Sequence, residues 1–173
     1  MAGKPQAVLH ETLTKVRTRI AELRASSDRL SEEETKAILI DPVLAALGWH
    51  VDELEHVRRE YRARPSDNPV DYALVVFGKP RLFVEAKALS VALDRKSASQ
   101  VLGYAATVGV SWCVLTNGVL YRIYKTNEPV GMAEKLMLEI DLRETVAEPN
   151  RSVTLESLAY LSRASLEQGT EPH

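Results

Sequence analysis

The amino-acid sequence predicts an α/β fold, one β-sheet covered by helices on both faces. Three features carry that prediction. Two apolar runs, Val70 to Phe77 and Arg81 to Ala88, are separated only by Gly78-Lys79-Pro80, which reads as a β-hairpin. Both faces of these runs are largely apolar, so the strands belong in the middle of the sheet. Segments of helical periodicity then flank the hairpin on either side, where they can cover it.

Taken in order, residues 7–24 place Leu9, Leu13, Val16, Ile20 and Leu23 on one helical stripe, with Lys15, Arg17, Arg19 and Arg24 mostly off it. Such a helix either docks on the domain or pairs with a partner helix, and docking is the favoured reading. Ala25-Ser26-Ser27-Asp28 breaks the pattern. Ser31 followed by Glu34 is a capping box that opens a helix over 32–47, ended by Gly48 and interrupted by a kink at Pro42. Leu39, Val43 and Ala46 share its stripe. Stepping back along it reaches Thr35 and Glu32, so Glu32 points inward while Glu33 and Glu34 turn to solvent. Residues 55–62 read as an edge strand and 63–69 as a loop. Ser97 to Val108 reads as a helix, Trp112 to Thr116 as a strand, Asn117-Gly118 as a tight turn and Val119 to Lys125 as a strand. A further strand over 136–142, a closing helix over 154–166 and a frayed tail complete the pass. The chain is expected to form a single domain: an N-terminal helix over 1–30, a core over 31–145 and a C-terminal helix and tail over 146–173.

The totals exclude more than they assign. At 173 residues, 45% hydrophobic and 27% charged, the chain is ordinary globular protein with room for a core. A net charge of −2 gives no bulk nucleic-acid signal, so such a partner would be held by a local basic patch and by metal ions. The single cysteine, Cys113, lies in an apolar run and reads as a small core residue, not part of a disulfide framework. No membrane-length apolar stretch or secretory apolar segment occurs, and a cytoplasmic location is expected.

The hairpin carries the chemistry. A three-residue loop at 78–80 would set Phe77 opposite Arg81, Ala73 opposite Glu85 and Asp71 opposite Lys87, so that Asp71, Glu85 and Lys87 share one face. A two-residue loop would turn Asp71 to the other side. In Val84-Glu85-Ala86-Lys87-Ala88 charges interrupt an otherwise buried strand, and buried charge is costly unless paired or metal-bound. A plain ion pair is the bland alternative. Phosphodiester hydrolysis needs a hard cation to neutralise the phosphate and acidify water. Magnesium takes a few carboxylates plus other oxygens, which Asp71, Glu85 and the Ala86 carbonyl can supply. Lys87 can orient the water and offset transition-state charge. Glu32 could complete the metal shell or simply be a dipole-favourable first-turn acid. Gln100 and Tyr104, four apart on one helical face, could hydrogen-bond DNA, with Tyr104 as core filler the alternative. Arg58, Arg59, Arg62 and Arg64, and Arg95 with Lys96, are candidate backbone contacts, although surface basic residues are most often plain solvated charges.

Several blocks then match a known family. They are Ser-Glu-Glu-Glu-Thr-Lys (31–36), Leu-Ile-Asp-Pro-Val-Leu (39–44), Leu-Gly-Trp (47–49), Arg-Glu-Tyr (59–61), Val-Asp-Tyr-Ala-Leu (70–74), Val-Glu-Ala-Lys-Ala (84–88), Gln-Val-Leu-Gly-Tyr-Ala (100–105) and Leu-Thr-Asn-Gly (115–118). In this order they resemble the N-terminal nuclease domain of type I restriction enzyme restriction subunits, and still more the small predicted type IV restriction endonucleases. The resemblance spans roughly residues 5–125 and implies a PD-(D/E)XK core with a mixed sheet of four to five strands. It puts metal-binding acids at Asp71 and Glu85, the catalytic lysine at Lys87, a helix acid at Glu32 and a Gln-x-x-x-Tyr motif at Gln100 and Tyr104. A tryptophan common after the Asn-Gly turn is replaced here by Leu120 or Tyr121, which touches only local packing. No GxxxxGK[ST] motif occurs, so no ATP-driven motor is expected within this chain.

The implied function is a magnesium-dependent DNA endonuclease, manganese able to substitute, acting alone, as a homodimer or beside restriction-modification partner subunits. The N-terminal helix is the expected place for a dimer interface. A non-catalytic nucleic-acid-binding or assembly module with the same fold is the alternative, and an RNA or structure-specific nuclease a weaker third.

Overall fold

A computed structural model describes residues 4–143 and 150–169. The expected boundary at 145/146 and the last four residues lie outside them. Six strands form one sheet in chain order: β1 (Val57–Tyr61), β2 (Val70–Val76), β3 (Lys79–Ala86), β4 (Trp112–Thr116), β5 (Leu120–Lys125) and β6 (Leu136–Asp141). All neighbours pair antiparallel except β3 and β4, which run parallel and are joined through helix α4 (Arg95–Val108). The sheet therefore exceeds the four to five strands implied by the family resemblance, because β1 and β6 each extend an edge.

One face is covered by α1 (Lys4–Ser26) and by the helical stretch of residues 32–46. Leu9, Leu13, Val16 and Ile20 of α1 are buried with Leu39, Ile40, Val43, Tyr72, Leu74 and Val84. The α1 stripe is thus spent on the chain's own core, as the docked reading expects. The other face packs Ala73, Phe83, Cys113 and Leu115 against Ala98, Val101, Leu102 and Ala105 of α4. Cys113 is a fully buried free thiol, as its apolar run predicts.

The helix expected over 32–47 is three pieces: α2 (Glu32–Thr35), a π-helical segment (Lys36–Ile40) and α3 (Asp41–Ala46). The Ser31 capping box forms with both of its hydrogen bonds. Pro42 has no N–H to give to Ile38, and the Asp41 N–H bonds instead to the Lys36 carbonyl, five residues back. The expected kink is realised as this widened turn. The closing helix is likewise two, α5 (Asn150–Ala159) and α6 (Arg163–Gln168). Ser162 caps α6, while the break hands the Leu161 carbonyl to the Trp49 indole and the Arg163 N–H to the Leu47 carbonyl.

The β2–β3 register differs from the sequence expectation. The turn has two residues, Phe77 and Gly78, with φ of 50° and 77°, the mirror-image turn that suits hairpin twist. By itself this would put Asp71 on the wrong face. A bulge follows at once: Val75 pairs with Pro80 but Leu74 with Leu82, leaving Arg81 as an extra residue. Pro80, which lacks an N–H, belongs at such an irregularity. Beyond it Ala73 faces Phe83, not Glu85, and the pairing carried on sets Asp71 beside Glu85, not Lys87. The expected pairs are two residues off, yet the shared face survives.

Candidate active site

The charges gather where β2 begins and β3 ends. Asp71 is 9% exposed. Its Oδ2 accepts the Ala86 N–H at 2.7 Å, which clamps the acid to the neighbouring strand. Glu85, half-buried, receives the Lys87 ammonium at 3.2 Å. Burial, and after it the charge of Asp71, hold the Glu85 carboxyl above its ordinary range, with Lys87 partly opposing. Two hard oxygen donors that repel one another suit a hard divalent cation.

Neighbouring segments fix the spot from below. The Lys87 N–H bonds to the Thr116 carbonyl at 2.8 Å. Thr35 Oγ1 gives its proton to the Ser31 carbonyl and accepts the Leu89 N–H, stitching the start of α2 to the segment after Lys87. Asn117 caps its own turn through Oδ1 and donates to the Val91 carbonyl. At Gly118 (φ +82°) a Cβ would stand 2.8 Å from the Leu39 Cβ, so the turn lies directly against the helix.

The sequence pattern did not single out Lys36. Its side chain is 6% exposed, and its ammonium lies 2.5 Å from Asp71 Oδ1, 2.7 Å from Glu33 and 3.7 Å from both Glu32 and Glu60. Burial alone would push this ammonium's pKa down. Hydrogen bonds and charge from Asp71 and Glu33 more than reverse that and hold it above the ordinary lysine value. Glu60 takes a left-handed φ of 48° within β1, a strained setting for a non-glycine. Glu32 is half-buried as expected, but it meets Lys36 rather than the acid pair. Among the described residues no three acidic, histidine or cysteine side chains converge as a metal-holding group. Asp71 and Glu85 are the two carboxylates that the hairpin sets beside one another.

Gln100 and Tyr104 border one cleft with Glu85, Asp67, Val70 and Val101, of about 270 Å³. Gln100 is exposed. Tyr104 stacks on Phe83 with ring centroids 5.4 Å apart, and its hydroxyl accepts the Ala63 N–H at 2.7 Å. The packed reading of Tyr104 is realised, and its ring borders the cleft. The arginines are less uniform. Arg58 is exposed, but Arg59 binds Asp41 at 2.6 Å and lies over the Tyr72 ring, whose hydroxyl donates to the same carboxylate. Arg62 and Arg64 are tied to Asp67 in the loop between β1 and β2. Arg95 and Lys96 are exposed at the start of α4. No helix among the described residues is long and apolar enough to cross a membrane.

Comparison with known proteins fits this arrangement. The family described as Type I restriction enzyme R protein N terminus (HSDR_N) matches residues 31–138, well over half of the chain. The chain belongs to that family. The match runs from the Ser31 cap to β6 and so contains every residue of the site. A chain of the cryoEM structure of the DrdV–DNA complex shares the fold, with a TM-score of 0.52 and 14% identity over 89% of this chain and 97% of that one. No curated protein matches.

Proposed function

We propose that this chain is a magnesium-dependent DNA endonuclease of the restriction type, with a PD-(D/E)XK site made of Asp71, Glu85 and Lys87. The observation that carries the reading is the convergence of these three side chains at one end of the hairpin, despite a turn and a bulge that each alter the register. Membership of the restriction R-protein family supports the nuclease role, and the DNA in the DrdV complex supports DNA as the polymer.

Asp71 and Glu85 would hold the ion, with the Ala86 carbonyl as a third oxygen. Magnesium, or manganese in its place, would neutralise the scissile phosphate and lower the pKa of an attacking water. Lys87 orients that water and offsets the negative charge that develops on phosphorus-bound oxygens. Gln100, above the same cleft, hydrogen-bonds the DNA backbone, and Tyr104 forms the wall against which it lies. Arg58 with Arg95 and Lys96 supplies exposed cationic contacts to phosphate. One such site cuts one strand at a time, and a second copy or a partner restriction subunit would supply the site for the other strand.

The test is nicking of supercoiled plasmid with magnesium, comparing wild type with Lys87→Ala. Loss of nicking with retained DNA binding is expected; equal cleavage by both proteins rejects the assignment. One observation favours a second reading, a non-catalytic DNA-binding or assembly module: the Lys36 ammonium already neutralises Asp71. That reading predicts binding without cleavage in any divalent metal.

A further inference from the structure

Resting on the metal-site reading above, we infer that Lys36 is the resident cation of this site and competes with the divalent ion for Asp71. Both oxygens of Asp71 are engaged. Oδ2 accepts the Ala86 N–H, and Oδ1 lies 2.5 Å from the Lys36 ammonium. An ion approaching Oδ1 meets a buried positive charge at contact distance, and the two cations repel.

The surroundings of Lys36 give it somewhere to go. Glu33 lies at 2.7 Å with its side chain 80% exposed, and Glu32 and Glu60 both lie at 3.7 Å. An ammonium displaced from Asp71 stays paired by leaning outward onto these acids. Glu32 is therefore assigned to Lys36 rather than to the metal. The strained backbone at Glu60 has a matching role, since that conformation is retained where Glu60 reaches the same ammonium. The π-helical segment starts at Lys36 itself. Lys36 is on these grounds a positioning residue: it holds Asp71 ready in the metal-free protein and sets how tightly the ion binds.

The experiment is titration of the EDTA-stripped full chain with Mn²⁺, read by electron paramagnetic resonance, on wild type, Lys36→Met, Lys36→Arg and Asp71→Asn. Lys36→Met is expected to bind Mn²⁺ about tenfold more tightly, within the range typical of coupled sites. Lys36→Arg, which keeps the charge, stays near wild type, and Asp71→Asn loses the site. Mn²⁺ should also raise the melting temperature of Lys36→Met by more than it raises that of wild type. A purely structural lysine predicts weaker or unchanged affinity in Lys36→Met, and that result overturns the inference while wild-type binding leaves the metal site standing. If neither wild type nor Lys36→Met binds Mn²⁺, the metal-site reading itself falls. Should Lys36→Met fail to fold, the side-chain ammonium resonance of Lys36 in ¹⁵N-lysine-labelled wild type decides. The inference requires it to shift on saturation with Mg²⁺, and an unchanged resonance overturns it.

Discussion

Two lysine–carboxylate pairs stand side by side at this site, and they are built differently. Lys36 and Asp71 meet at 2.5 Å with side chains 6% and 8% exposed. Lys87 and Glu85 meet at 3.2 Å with 24% and 23% exposed. The first pair is sealed, with its acid also clamped by a backbone N–H. The second is open to the cleft, and its acid remains burdened by the charge of Asp71. The contrast separates two tasks that one cluster of charges would otherwise blur. A buried pair fixes geometry, because its acid is held by both the ammonium and a backbone N–H. A half-open pair would, on the proposed reading, keep Lys87 within reach of substrate.

Breaking the open pair gives the largest expected effect, and it falls on chemistry. Lys87→Ala should lower the nicking rate by about 10²- to 10⁴-fold, the usual worth of a positioned proton-handling group, with little change in the denaturation midpoint. Breaking the sealed pair should instead appear in stability. Asp71→Ala leaves the buried Ala86 N–H without its acceptor and Lys36 with only its outer acids, a loss of about 1–3 kcal/mol. Urea denaturation in metal-free buffer measures it. A loss below about 1 kcal/mol, the value of an exposed pair, would erase the distinction drawn here.

Unequal legibility follows from the same difference. Glu85 in β3 and Lys87 just past its end are two residues apart, so a shared face can be read directly from their spacing. Asp71 needs the hairpin register, and there a three-residue loop gives the right face by the wrong count: the turn has the two residues that alone would turn Asp71 away, and the unannounced bulge at Arg81 turns it back. Pro80 was the available signal for an irregularity. Lys36 touches Asp71 only through tertiary packing and a π-helical turn, which no periodicity announces. Its clue was local: it is three residues from Glu33 and four from Glu32, on the buried stripe of Leu39 and Val43. The strands, both helical layers and the capping box were legible because they rest on pattern and local hydrogen bonding. Arg59 was not, because its commitment to Asp41 and Tyr72 joins three separate segments.

The platform beneath the sealed pair offers an intermediate effect. Gly118→Ala places a Cβ against Leu39 and asks an L-residue to hold a left-handed φ, together about 3 kcal/mol. The push acts on the helix that carries Lys36, so thermal melts should fall and metal affinity should change with them. If the melt falls while Mn²⁺ affinity stays fixed, the turn supports the fold without tuning the site.

The smallest effect has the opposite sign, and it tests the open pair's acid. In the metal-free protein the Glu85 carboxyl is raised above its ordinary value of 4.5, first by burial and then by Asp71. Between its unfolded and folded values the native state therefore binds more protons than the unfolded chain, and stability falls as pH rises through that window. Below the window both states are protonated and the penalty is absent; above it the penalty is complete. Glu85→Gln cannot ionise, so it should be more stable than wild type at neutral pH, with the difference shrinking as the pH is lowered through the window towards 4.5. Paired melts of the two proteins from acid to neutral pH measure this. A Glu85→Gln variant less stable than wild type at neutral pH would mean that Lys87 neutralises Glu85 as fully as Lys36 neutralises Asp71, and the two pairs would then differ in exposure alone.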